Sequence, residues 1–393
     1  MSATHGLAGR LLKRSRLVGL ALVAAFALSG VLASGASAHE VTINQSYVAL
    51  GDSLAFGYSQ QLFNEHLEAG EPAAAFTNGY VDKYATKVKA HLTFKGTQVQ
   101  DLGCPGETSG SLIGNGALEA GLKAGQEAEE GKAVAPFGEA PCAYHEHAAE
   151  AAGFPTGFHF PLHVEYGGAG KSQLEKALEL IAVDALSGKP VTHLTLNIGA
   201  NDQLAFVAKC EKEVGEKVVK GEIEPTEAAE HKAFEECLVA GAFPLGEKIG
   251  TNIARILTVV RDGSAFGGVN YTGPVQFVAA YNPYGNVFQF PTKTEQKEKI
   301  NHELLEGSNA LAAIFNKGFG EVAAKFGGCT TNELARFNPQ NSTEPTKLKE
   351  WTNMANFTET EAFGKKRANG PDIHPTPRGY EIMAAWMVHS CGV

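Results

Sequence analysis

The stretch "YVALGDSLAFGYS", residues 47–59, decides how the rest of the chain is read. An apolar run ends abruptly at Gly51-Asp52-Ser53, and a second apolar segment, "LAFGY", begins at once. That is the signature of a buried strand turning into a helix. Ser and Asp are frequent at such junctions because their side-chain oxygens accept the free N–H groups of the first helical turn. Ser53 is therefore either a cap or a nucleophile. The choice depends on whether partners for a nucleophilic serine occur elsewhere in the chain.

Working outward, "QSYVAL" (45–50), "VTHLTLNIG" (191–199) and "PVQFVAAY" (274–281) are strand-like, and "TQVQDLG" (97–103) is a weaker fourth run. Helical patterns lie between them. Ala177, Leu178, Ile181, Ala182, Ala185 and Leu186 share one helical face, and Leu245, Ile249, Ile253, Ile256, Leu257 and Val260 share another. A third face runs through Leu304, Leu305, Leu311, Ile314, Phe315, Phe319, Val322 and Phe326, on a long helix after Pro291. Strands alternating with helices predict an α/β fold with a parallel sheet covered on both faces. In such sheets the functional loops follow the carboxyl ends of the strands, where Gly51-Asp52-Ser53 and Gly199-Ala200-Asn201-Asp202 both fall. Residues 107–170, rich in Gly, Ala and Glu with an aromatic patch at 154–166, and the charged residues 203–244 read as loop insertions into one domain.

The chain has 393 residues, 44% hydrophobic and 19% charged, with a formal net charge of −10. That composition is globular. The acidic balance excludes an extended nucleic-acid surface, since no basic run occurs outside the N-terminus. The N-terminus itself reads as an export signal. Arg10, Lys13, Arg14 and Arg16 precede the apolar run 17–33, and Ala36-Ser37-Ala38 supplies the small residues of a cleavage site. The run is shorter than the ~20 residues of a membrane span. Cleavage after Ala38 would leave a secreted domain over residues 39–393 with no membrane span, expected to act as a monomer. Export to an oxidising compartment makes the six cysteines read as disulfides, and none stands in a CxxC pair. Fifteen pairings are open to six cysteines; the simplest is sequential, Cys104–Cys142, Cys210–Cys237 and Cys329–Cys391.

Four short blocks follow one another along the chain: "GDSLAFGYS" (51–59), "DLGCPGETS" (101–109), "NIGAND" (197–202) and "DIHPTPRGY" (372–380). A serine hydrolase needs a nucleophile, a base to take its proton and donors for the oxyanion. Ser53 can attack, and His374 can be the base. The N–H groups of Ser53 and Gly106 and the side-chain amide of Asn201 can be the donors. Each block is weak alone, but together and in order they resemble the SGNH (GDSL-type) hydrolase family. That family is named for Ser, Gly, Asn and His, which match Ser53, Gly106, Asn201 and His374. The resemblance covers nearly all of the chain after the export signal. It implies a flavodoxin-like three-layer α/β/α sandwich and hydrolysis of carboxyl esters, thioesters, lipids or acetylated sugars without a metal or cofactor.

One block departs from the family pattern. The family places Asp three residues before the His, where this chain has Pro371; Asp372 stands two residues before His374. Either the Asp372 carboxylate orients the imidazole, which we take for the site, or a main-chain carbonyl near 371–372 does. The expected function is a secreted serine esterase or lipase. A deacetylase for O-acetylated carbohydrate and a non-catalytic binding protein of the same fold are the alternatives. Other features carry less. His145, His147, His159 and His163 match no strong metal spacing and read as a solvated loop, so no metal is expected. "YGGAGKS" (166–172) has Glu165 where a phosphate loop needs its first Gly. Asp52 and Asp202 are expected to hold turns by accepting backbone N–H groups.

Overall fold

The computed structural model describes residues 45–66, 73–91, 97–114, 142, 161–167, 171–263, 268–283, 295–338 and 347–391. The expected export signal lies outside them. Five strands form one parallel sheet: β1 (Gln45–Gly51), β2 (Thr97–Asp101), β3 (Val191–Asn197), β4 (Val275–Ala279) and β5 (Gly328–Asn332). Their order is β2-β1-β3-β4-β5. From β1 the chain crosses to one side to make β2, then returns past β1 to make β3. The crevice between the carboxyl ends of β1 and β3 is thus the topological switch point, where open α/β sheets place their sites.

The helices α1 (Ser53–Phe56), α2 (Gln60–His66), α3 (Tyr80–His91) and α4 (Ser109–Ile113) fall before β3, as does α5 (Gln173–Leu186). After β3 come α6 (Ala200–Val219), α7 (Glu227–Asp262), α8 (Glu295–Lys325), α9 (Leu334–Phe337), α10 (Lys347–Trp351) and α11 (Pro377–Cys391). A strand covered on both faces is buried along its length, and all seven residues of β1 are buried, Gln45 and Ser46 among them. Its side chains alternate between two cores. Val48 and Leu50 pack with Leu174 and Ile181 of α5, Ile253 and Ile256 of α7, and Phe319 of α8. Tyr47 and Ala49 pack with Tyr84 of α3 and Tyr380, Met383 and Met387 of α11. This is the three-layer α/β/α arrangement expected from the alternation.

The structure departs from the sequence reading at particular residues. β5 was not expected, because "GCTTN" carries no apolar run; its main-chain pairing with β4 makes it a strand. Leu186 is 83% and Ile314 66% exposed, although both sit in the expected apolar patterns. Leu186 is the last residue of α5, where the helix leaves the sheet, and Ile314 lies at the edge of the stripe centred on Phe315 and Phe319. A small antiparallel hairpin, β6 (Glu359–Ala362) and β7 (Lys365–Ala368), was also not foreseen. Residues 203–244, read from the sequence as a loop insertion, are instead mostly helical: all but the first three residues of α6 and the first half of α7, joined through residues 220–226. Exposed pairs such as Lys209–Glu213 (3.6 Å) and Lys232–Glu236 (3.9 Å) line these helices at i,i+4 spacing. Among the described residues no helix is long and apolar enough to cross a membrane.

All three sequential cysteine pairs lie at bonding distance, each with Cα atoms 5.8 Å apart. Cys210–Cys237 ties α6 to α7 across a separation of 27 residues. By the chain-entropy account, a loop of that length contributes about 3.5 kcal/mol of stability. The double variant Cys210→Ser/Cys237→Ser should therefore unfold at lower urea concentration by an amount of that order. An unchanged midpoint would mean that the disulfide does not restrain the unfolded chain as that account requires.

Candidate active site

The site is built at the ends of β1, β2 and β3, with a loop from the C-terminal region closing over it. β1 ends at Gly51, and Asp52 caps α1: its Oδ1 accepts from Leu54 N at 2.9 Å. Capping belongs to Asp52, not to Ser53. Ser53 is the first residue of the helix, where the N–H has no intrahelical acceptor. Its side chain is free of structural duty and only 9% of the residue is exposed.

After β2 the chain packs tightly on α1. A Cβ at Gly103 would stand 2.4 Å from Phe56 N, so no other residue fits there. Cys104 N donates to Gly51 O at 3.1 Å and fastens this loop to the end of β1. Gly106 follows in the left-handed region, at φ 80°, a conformation that glycine adopts without strain. After β3, Gly199 precedes α6, and Asn201 in its first turn donates Nδ2 to Glu107 O at 2.9 Å. One hydrogen of that amide is so used, and among the described residues nothing accepts the second. Asp202 accepts from Ser109 N and Ser109 Oγ, each at 2.8 Å, and joins α6 to α4.

His374 comes from the loop before α11. Its Nε2 lies 2.8 Å from Ser53 Oγ, and its Nδ1 lies 2.5 Å from Asp372 Oδ1. The same Asp372 oxygen accepts from His374 N at 3.1 Å, while Oδ2 accepts from Gln60 N at 2.9 Å. A carboxylate accepts and cannot donate, so Nδ1 carries the ring proton and Nε2 is left to accept from Ser53 Oγ. The loop is fixed from behind. Asn353 N donates to His374 O (2.9 Å), Asp372 N donates to Asn353 O (3.2 Å), and Tyr281 Oη donates to Ile373 O. The Tyr58 ring meets the imidazole edge-on, 4.7 Å between centroids. The structure thus brings Ser53, His374 and Asp372 together in one hydrogen-bonded line. Gly106 and Asn201 are linked to the same place through Cys104, Gly51 and Glu107.

Several carboxyl groups here are buried away from water. Burial pushes Asp52 up to about 7, and among the described residues its Oδ2 has no hydrogen-bond partner. Burial likewise pushes Glu107 up to about 7 and raises Asp202. An unfolded aspartate titrates near 3.8, so between there and about 7 the folded chain holds a proton on Asp52 that the unfolded chain has released. Stability from this group is therefore lost as pH rises through that window. Relative to Asp52→Asn, the wild type should lose on the order of a few kcal/mol between about pH 4 and about pH 8. Urea denaturation at both pH values reads the difference; equal losses in the two proteins would show that Asp52 ionises without penalty.

Sequence reasoning missed Glu107, Gln173, Tyr58 and Gln60. Glu107 had one signal, its place directly after Gly106. Gln173 had none, because its partners are remote in the chain. His163 corrects the reading of a solvated histidine loop: its side chain is 15% exposed, its ring lies 4.5 Å from that of Phe56, and Nε2 is 3.0 Å from Phe56 O. Burial lowers its pKa. His145, His147 and His159 lie outside the described residues. Ser172, from the glycine-rich "YGGAGKS", caps α5 in a reciprocal box with Glu175.

A search of curated proteins returns no match. Two of the solved structures that resemble the chain are LAE5, an alpha/beta hydrolase enzyme from the metagenome of Lake Arreo, Spain, and a variant of Axe2, an acetyl xylan esterase from Geobacillus stearothermophilus. The first is 11% identical, covers 88% of this chain and 95% of its own, and has a TM-score of 0.34. The second is 12% identical, covers 89% of this chain and 97% of its own, and has a TM-score of 0.33. Likeness at that level carries no argument about fold or function. The family match is extensive: the GDSL-like lipase/acylhydrolase model spans residues 47–387, from the first strand into the last helix. The chain belongs to the GDSL-like lipase/acylhydrolase family of hydrolases.

Proposed function

We propose that this hydrolase is a serine-dependent carboxyl ester hydrolase, an esterase or lipase, acting through an acyl-enzyme on Ser53. One observation carries the reading: the line Ser53 Oγ, His374 Nε2, His374 Nδ1, Asp372 Oδ1, with separations of 2.8 and 2.5 Å. His374 takes the Ser53 proton as Oγ attacks the ester carbonyl. Asp372 holds the ring in the required tautomer and stabilises the imidazolium. The N–H groups of Ser53 and Gly106 and the spare Asn201 amide hydrogen receive the oxyanion. His374 then protonates the leaving alcohol, and water repeats the cycle on the acyl-enzyme. Three disulfides support work outside the reducing cytoplasm.

A panel of p-nitrophenyl esters from acetate to palmitate tests the reading. Turnover of at least one member is expected, and no turnover of any would sink it. Turnover of acetate alone would redirect it to deacetylation. Within the panel, Asn201→Ala should lower kcat by ~10²–10³ with little change in KM, because an oxyanion donor strengthens its bond in the transition state. A raised KM at constant kcat would place Asn201 on ground-state substrate instead.

A further inference from the structure

Glu107 is 1% exposed and sits where a core side chain would be cheaper to bury. Its carboxylate collects three donors from three segments. Oε1 accepts from Ser111 Oγ on α4 at 2.5 Å and from Cys142 N, beside the Cys104–Cys142 disulfide, at 3.2 Å. Oε2 accepts from Gln173 Nε2 at 3.2 Å. The main chain of Glu107 is engaged as well: its O holds Asn201 Nδ2 and its N donates to Cys104 O at 3.2 Å. Gln173, the first residue of α5, is fully buried. Its Oε1 accepts from Gly51 N at 2.6 Å, and its Nε2 donates to Gly51 O at 2.9 Å. Both polar groups of residue 51, two residues before Ser53, are thus gripped by one side chain.

We propose that Glu107 and Gln173 are positioning residues: a buried strut that holds the Ser53, Gly106 and Asn201 donors in one fixed geometry. This rests on the oxyanion assignment given under the proposed function. The three donors come from three strand ends, remote in sequence. The strut joins them: Gln173 holds the end of β1, Glu107 follows Gly106 in the chain, and Glu107 O aims the Asn201 amide. A purely apolar pair would leave Cys142 N and Gly51 N without the acceptors they have here, and would take one of two donors from Gly51 O. An interlocked set of this kind keeps its members in one arrangement, and a displacement of about 1 Å at a reacting centre can cost 10²-fold in rate.

The test uses the full chain with its disulfides intact. In Glu107→Gln the new amide N–H₂ must face either Gln173 Nε2–H₂ or Cys142 N–H, donor against donor in both orientations, while the volume is nearly unchanged. We expect kcat on a p-nitrophenyl ester to fall ~10- to 10²-fold with KM within about twofold, at unchanged far-UV circular dichroism. In an Asn201→Ala background the same substitution should cost about threefold or less, because a donor that Glu107 aims is already gone. Gln173→Met reads the strut from its other end, and should show the same kcat-selective loss if Glu107→Gln does not fold. The strut is overturned if the Glu107→Gln loss is equal in both backgrounds, if KM alone rises, or if activity per folded molecule is unchanged. A silent Glu107→Gln beside a damaging Asn201→Ala removes the strut and leaves the oxyanion hole standing. A silent Asn201→Ala removes the oxyanion assignment, and the strut with it.

Discussion

Ser53→Ala is expected to abolish ester hydrolysis in a protein that remains folded. In a serine hydrolase with the same three residue types, loss of the nucleophile costs about 10⁶ in kcat. Folding should survive because, among the described residues, Ser53 Oγ bonds only His374 Nε2, whereas the cap of α1 is supplied by Asp52. His374→Ala should cost a similar factor, since Ser53 then has no base. Removing both should cost little more than removing one, because the pair acts as a unit. Steady-state rates on the preferred ester, with circular dichroism as the folding control, give the answer. A serine-directed organophosphonate should label the wild type once, on the peptide containing Ser53. A folded Ser53→Ala protein that still hydrolyses the ester would require another nucleophile.

Asp372→Asn is the second large effect, expected at ~10⁴ in kcat. Asp372 Oδ1 faces the imidazole Nδ1 at 2.5 Å, and Oδ2 faces Gln60 N at 2.9 Å. The carboxylate satisfies donors on both sides. An asparagine has one oxygen and must turn its N–H₂ toward one of them. With the amide nitrogen toward His374, Nδ1 becomes the acceptor and Nε2 carries the proton, the wrong tautomer for taking one from Ser53. KM should hardly move, because substrate binding does not depend on the tautomer. A loss of about tenfold or less, roughly 1.4 kcal/mol, would instead assign orientation of the ring to a main-chain carbonyl and remove Asp372 from the mechanism.

The strands β1, β3 and β4 were legible because each is a short run rich in β-branched, aromatic and other apolar residues. β5 was not, since "GCTTN" is a strand only by virtue of β4 beside it. The residues of the site are legible for a related reason. Ser53, Gly106 and Asn201 each follow a strand, inside short blocks whose glycines and polar residues mark sharp turns. Glu107 and Gln173 are different. Their separation is 66 residues, and no local pattern links a glutamate after one strand to a glutamine at the start of a distant helix.

By itself, then, the sequence determined the layer architecture, the turn residues at the strand ends and the chemical types available there. These follow from periodicity, burial and backbone preference, all of which act over a few residues. Tertiary structure alone decided which cysteines pair and that His374 Nε2 comes to 2.8 Å from Ser53 Oγ. Those outcomes depend on distances of a few ångströms between groups as many as 321 residues apart, as Ser53 and His374 are. Such distances exist only once the parallel crossovers close and the two cores pack, because a hydrogen bond needs both partners brought to within about 3 Å and local pattern encodes only one of them.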